Sequence, residues 1–181
     1  MSVAALSWII CDTCLVFPDK AKKEIILSEN KGISYQLIIH NVPEDIFAIK
    51  ADDFPDTRAF FTGDKNKRAD YIIISSSLKL IVFLELKHGS GGSETDIVKQ
   101  LKGAECLLKY CDLLHTKMSN SKSTLQHYKF RFVCAYFVGA SKRPTRYQGS
   151  SLHDAPERML KLNNPHRLFL KQLRGQVRNK S

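Results

Sequence analysis

The sequence predicts an α/β protein built on a mixed β-sheet, with an antiparallel hairpin at its core and helices flanking it. Three observations carry that expectation. "YIII" (71–74) and "LKLIVFLELK" (78–87) are apolar, β-branched runs separated only by "SSS", a spacing that implies an antiparallel hairpin. Beyond Ser93, Ile97, Leu101, Ala104, Leu108 and Cys111 recur at intervals of four and three, the stripe of an amphipathic helix. "YKFRFVCAYFVGA" (128–140), rich in aromatic residues and valine, reads as a buried strand. Strand, helix and strand in that order make the helix a crossover on one face of the sheet.

The remaining elements follow in chain order. "FPDKAKKEIILSENKG" (17–32) reads as a short helix, started by Pro18 or Asp19, facing Ala21, Ile25 and Ile26 inward and stopped by Gly32. "ISYQLIIH" (33–40) is strand-like. Residues 41–68 are interrupted by Pro43, Pro55 and Gly63, with the apolar patch "DIFAIK" between them and the polar loop "GDKNKR" at the end. After the hairpin, "HGSGGS" (88–93) is a loop, and Ser93 with Asp96 three residues on forms a capping-box-like start to the helix. That helix should end near 115–118. "SKRPTRYQGSS" is a loop, 154–162 reads as a helix, and a last helix is started by Asn164 and Pro165 and ended by Gly175. The expected division is an α/β core over 1–140 and a basic, helical C-terminal segment over 141–181, packed on or extending from that core.

With 181 residues the chain can form one domain with a real core. Hydrophobic and charged fractions of 43% and 25% are those of a soluble globular protein. No apolar run approaches the roughly 18–20 residues of a membrane span, and "MSVAALSWII" lacks the basic start of a secretory signal. The expectation is a cytoplasmic protein with no membrane partner. Five scattered cysteines fit reduced thiols, and Cys11-x-x-Cys14 has no second pair of zinc ligands behind it. From residue 141 onward, ten Lys or Arg stand against two acids, so +8 of the net +10 lies in the last quarter of the chain. Such a segment suits a polyanion.

The hairpin carries charge where a core strand would not. Side chains alternate along 78–87, so Glu85 and Lys87 share a face with Ile81 and Phe83, while Leu80, Val82, Leu84 and Leu86 take the other. A tight turn at 75–77 brings Asp70, at the start of the first strand, close to opposite Glu85. Two carboxylates and an ammonium then meet at one end of the sheet. Buried unpaired charge costs several kcal/mol and paired carboxylates repel. A divalent cation relieves that repulsion, and Mg²⁺ commonly takes one or two carboxylates together with a phosphate.

Asp70 followed, after fourteen residues, by Glu85-Leu86-Lys87 resembles the PD-(D/E)xK nuclease superfamily, whose fold is restriction-endonuclease-like. The resemblance covers roughly residues 18–140, with Ala69 in place of the eponymous proline. It implies a DNA endonuclease dependent on Mg²⁺ or Mn²⁺, with Asp70 and Glu85 as metal ligands and Lys87 as the catalytic lysine. An additional acid from the first helix is implied, with Glu24 preferred over Glu29. Gln100 matches the glutamine that some branches place on the helix after ExK, although position 104 is Ala where those branches add a tyrosine. Asp56, preceded by Pro55, is a weaker rival to Asp70.

Lys99 and Lys102 at the start of the helix, Arg143 and Arg146 in the following loop, and Arg167, Lys171 and Arg174 near the C-terminus are the candidate DNA contacts. So compact a chain has little room for a recognition domain, which points to a homodimer or to a partner subunit. The rival readings are an RNA-directed nuclease of the same fold and a non-catalytic nucleic-acid-binding or interaction module of a defence or mobile-element system.

Overall fold

A computed structural model describes residues 6, 9–29, 35–55, 60–89, 92–123, 125–137 and 152–175. Its strands are β1 (Leu15–Val16), β2 (Glu24–Glu29), β3 (Tyr35–His40), β4 (Phe47–Lys50), β5 (Tyr71–Ser75), β6 (Leu80–His88), β7 (Lys129–Phe137), β8 (Leu160–Asn163) and β9 (Arg167–Phe169). The long helix α1 is Glu94–Met118 and the single turn α2 is Leu170–Leu173. The fold is mixed α/β, with two mixed sheets and few helices.

The larger sheet has the order β1-β4-β5-β6-β7-β8. β1, β4, β5 and β6 pair antiparallel in turn, and β7 and β8 then add in parallel. Parallel neighbours need a crossover, and α1 supplies it between β6 and β7. The second sheet has the order β2-β3-β9. β2 and β3 form an antiparallel pair, and β9 joins β3 in parallel.

The strands β5 and β6 are apolar on both faces because both faces are covered. Ile72, Ile74, Ile81 and Phe83 pack with Ile97, Leu101, Ala104 and Leu108 of α1. Tyr71, Ile73, Val82, Leu84 and Leu86 pack with Ile25, Leu27, Leu37 and Ile39 of the small sheet. Each such aliphatic side chain contributes roughly 1.5–3 kcal/mol when fully buried. The layers are thus helix, large sheet and small sheet.

Several sequence expectations need correction. The flanking helix over 17–32 is instead a turn followed by β2. Asp19 takes the Ala21 and Lys22 N–H groups on its side chain. Ile25 and Leu27 then face inward while Ile26 is exposed, a period of two rather than 3.6. Hence the second face of the large sheet is covered by strands, not by a helix.

Within 41–68, "FAIK" is the inner strand β4, too short to show a period and masked by flanking prolines. Among its described residues the C-terminal segment is mostly strand and turn, and only α2 is helical. Pro156–Arg158 forms one 3-10 turn, 160–163 is β8 in the large sheet, and 167–169 is β9 in the small one. Runs of three or four apolar and polar residues fit either period, and pairing with β7 and β3 decides the outcome. Gly175 does terminate α2, with a left-handed φ of 70°.

The hairpin, the Ser93 cap and the end of α1 at Met118 match the expectations.

Candidate functional site

The pairing of Tyr71 with Leu84, carried one step further, sets Asp70 opposite Glu85. Both share the α1 face with Ile72, Ile74, Ile81 and Phe83. Beyond Tyr71 the ladder of β5 stops, and the Asp70 carboxylate accepts the Leu86 N–H at 2.6 Å instead. Asp70 is 9% exposed and Glu85 only 1%.

Lys87, two residues along the same face, forms an ion pair with Glu85 Oε1. Glu85 Oε2 is buried without a hydrogen-bond partner. Gln100 on α1 lies close enough to favour the ionised form of Glu85.

The entry to β5 is fixed against α1. Ala69 N–H donates to the Gln100 carbonyl oxygen at 2.9 Å. A Cβ at Gly103 would stand 1.7 Å from the Lys67 carbonyl oxygen, so only glycine permits this approach. That contact holds Asp70 and Gln100 at one end of the sheet.

Two further acids reach Asp70 from other segments. Asp52 lies in the 3-10 turn Ala51–Asp53 directly after β4, where Ala51 N–H donates to the Asp70 carbonyl oxygen at 2.8 Å. Arg68 clamps this turn, donating to the Ala51 and Phe54 carbonyl oxygens at 3.3 and 2.9 Å and lying 5.2 Å from the Phe54 ring centroid. Glu29 ends β2. Tyr71 ties that end to the large sheet, donating its hydroxyl to the Ser28 carbonyl oxygen at 2.6 Å and accepting the Ser28 N–H at 3.2 Å. Carboxylate oxygens of Glu29, Asp52 and Asp70 lie within 4.8 Å of one another.

The electrostatics follow from this crowding. Burial holds the Asp70 carboxyl well above its ordinary range, and the charges of Glu85, Asp52 and Glu29 push the same way. Burial also pushes Glu85 up to about 7, although Lys87 opposes it. Tyr35 is raised as well, by burial first and then by the fields of Asp70, Glu29 and Glu85, which places its hydroxyl beside the same acids.

Of the four carboxylates, Asp70 and Glu85 are buried while Glu29 and Asp52 are half-buried, and Lys87 pairs with Glu85. An oxygen-rich, acid-rich donor set of this kind fits Mg²⁺ or Mn²⁺ rather than a soft metal. The orphaned Glu85 Oε2 is an acceptor that such an ion would satisfy.

The structure therefore brings Asp70, Glu85, Lys87 and Gln100 together and does not bring Glu24. Glu24 sits at the opposite end of β2 from Glu29, about 17 Å away along a strand, and pairs with His40 at 2.9 Å. Of the two acids weighed for the additional position, Glu29 is the one near Asp70, and it sits on a strand rather than a helix. Asp52 escaped sequence reasoning, because its signal, two acids directly after a strand adjoining β5, needs β4 to be recognised first. Asp56 lies outside the described residues.

Among the expected DNA contacts, Lys99 pairs with Asp64 at 2.6 Å and Lys102 with Glu157 at 2.5 Å. Arg167 is exposed on β9. Lys171 and Arg174 lie beside the first residue of β6, at the end away from the acids. Arg143 and Arg146 fall outside the described residues. No helix among the described residues is long and apolar enough to cross a membrane.

Comparisons with protein-family models, with curated proteins and with solved structures find no match for this chain.

Proposed function

We propose that this chain is a restriction-endonuclease-like, divalent-metal-dependent hydrolase of DNA phosphodiester bonds. The observation that carries this reading is the buried pairing of Asp70 with Glu85 at the end of β5 and β6, extended by Glu29 and Asp52 and with Lys87 on Glu85. The hairpin β5–β6, the crossover helix α1 and the following strand β7 support it, in the order that the resemblance of Asp70…Glu85-Leu86-Lys87 implies, although β2 stands where that order has an N-terminal helix.

Asp70 and Glu85 would hold Mg²⁺ or Mn²⁺, with Asp52 and Glu29 adding charge on the β4 and β2 side. When bound, such an ion would supply Lewis acidity toward a phosphoryl oxygen and would acidify an attacking water. Lys87 orients that water and offsets charge developing on the phosphate. Gln100 lies near Glu85 and favours its ionised form, and Leu86 N–H fixes Asp70 Oδ2, which would leave Oδ1 for the cation.

The test is plasmid nicking with added Mn²⁺ or Mg²⁺. Wild-type protein should nick, and Lys87→Ala or Glu85→Gln should abolish nicking while retaining DNA binding. Binding without cleavage in either metal contradicts the enzyme reading. Faster cleavage of RNA than of DNA at equal salt transfers the activity to RNA.

A further inference from the structure

The hydrolytic reading leaves the other end of the large sheet unused. There the first residues of β6 and β7, the β3–β4 connection and α2 surround two adjoining cavities of about 390 and 200 Å³ that share Leu78, Lys171 and Arg174. Lys23 lines the larger cavity and Lys129 the smaller. No acid is among the described residues lining either one.

None of these four cations forms an ion pair with a described residue. Lys171 Nζ instead lies 5.6 Å from the centroid of the Phe169 ring. Of the acids on the surrounding elements, Glu24 and Asp45 are engaged elsewhere, while Glu44 on the β3–β4 connection is exposed and lines neither cavity. Glu24 pairs with His40, and Asp45 accepts the Ser77 N–H and hydroxyl, both at 2.7 Å. Lys99 and Lys102 near the metal centre, by contrast, each have a carboxylate.

Converging like charges repel unless an anion joins them. Phosphate is the anion that several Lys and one Arg recognise together. Val42, Pro43 and Leu170 form an apolar wall in the larger cavity, and Phe169, 47% exposed, offers a ring beside the cations. Cations beside an apolar wall and a ring suit a ligand that is phosphorylated at one end and flat and heteroaromatic at the other. The larger cavity falls within the ~300–1,000 Å³ of small-molecule sites. Leu80 lines the smaller cavity and Glu85 is five residues further along β6, about 17 Å away. A ligand seated here is therefore not the phosphodiester under attack at the metal centre.

From this arrangement we infer that the Lys23–Lys129–Lys171–Arg174 groove is a second site, which binds a nucleoside diphosphate or triphosphate. Phosphates lie on Lys171, Arg174 and Lys129, and the base lies on the wall beside Phe169. The site is independent of the hydrolytic reading, and a protein inert on DNA would still bind.

The test is fluorescence anisotropy of labelled ADP with the full chain in EDTA, so that no metal contributes, with unlabelled ADP, inorganic pyrophosphate and octathymidylate as competitors. Saturable binding is expected. Lys171→Glu combined with Arg174→Glu should raise Kd about tenfold or more, and Lys87→Ala should shift it less than about twofold, as expected for independent sites. Arg174→Gln alone should weaken binding to a lesser degree, and thermal melting checks that each variant folds. Phe169→Ala should weaken ADP more than pyrophosphate. No saturation by about 1 mM ADP, or an affinity that survives the double charge reversal in folded protein, overturns the proposal. Displacement by octathymidylate at lower concentration than ADP also overturns it, and assigns the groove to a nucleic-acid strand.

Discussion

Where β4 and β6 finish, carboxylates from β2, the turn after β4, the start of β5 and the end of β6 converge, and two of them are almost sealed from water. Where β6 and β7 begin, four cations gather around an open groove. Burial separates the two ends. At the acidic end burial of Asp70 and Glu85 weakens screening of the repulsion, so protons and Lys87 compete for the same oxygens. At the basic end the charges ride on long side chains in solvent, where salt screens them and the cost of leaving them unpaired is small. On the two proposals made above, the first arrangement would suit a compact divalent ion and the second an anion of looser geometry.

The largest effect that can break this contrast is on cleavage. Asp52→Asn and Glu29→Gln should each lower the nicking rate by roughly 10²–10³-fold, the scale of losing one group that stabilises developing charge. Glu24→Gln should change it little. An equal loss for Glu24→Gln would remove the structural distinction between the two ends of β2.

Next comes Gly103→Ala. Its new methyl meets the Lys67 carbonyl oxygen, so α1 and the entry to β5 must part. A destabilisation of about 1–3 kcal/mol is expected, the range for overpacking, read from denaturant melts, with loss of Mn²⁺ affinity. Unaltered stability would mean that the close approach does not hold Asp70.

A pH series sharpens the comparison further. The Glu85 carboxyl sits at about 7 in the folded protein, above its ordinary value of 4.5. The native state therefore binds more protons than the unfolded chain between those values. Stability of the metal-free protein is full below about pH 4.5 with respect to this group and falls as pH rises toward 7, by on the order of 3 kcal/mol. Glu85→Gln should flatten that slope in thermal melts, and Mg²⁺ should restore stability at pH 7.5. A slope that Glu85→Gln leaves unchanged would place the titration elsewhere. The smallest effect belongs to the basic end, where Lys129→Ala should alter stability by no more than about 0.5 kcal/mol.

Much of the site was legible because hairpin register is arithmetic. Two apolar runs and a short turn place Asp70 across from Glu85, and strand alternation puts Lys87 beside it. The Ser93 cap and the stripe of α1 were legible for the same reason, since both are local. Glu29 and Asp52 were less so. Glu29 is delivered by a strand that reads as a helix, because Ala21, Ile25 and Ile26 suit a helical face while the pairing of Ile25 and Leu27 with β3 is remote in sequence. Asp52 depends on β4, a four-residue strand whose identity comes from its neighbours β1 and β5. The C-terminal strands likewise owe their form to β7 and β3; Lys161 on β8 pairs with Glu94, and Lys171 and Arg174 beyond β9 lie at the sheet end away from the acids.

Calorimetric titration of the metal-free protein with Mn²⁺ is the most direct test of the acid cluster as a metal centre. Saturable binding is expected in the wild type, abolished by Asp70→Asn or Glu85→Gln, reduced by Asp52→Asn and unchanged by Lys171→Glu. Absence of binding, or binding that survives both Asp70→Asn and Glu85→Gln in folded protein, would contradict it.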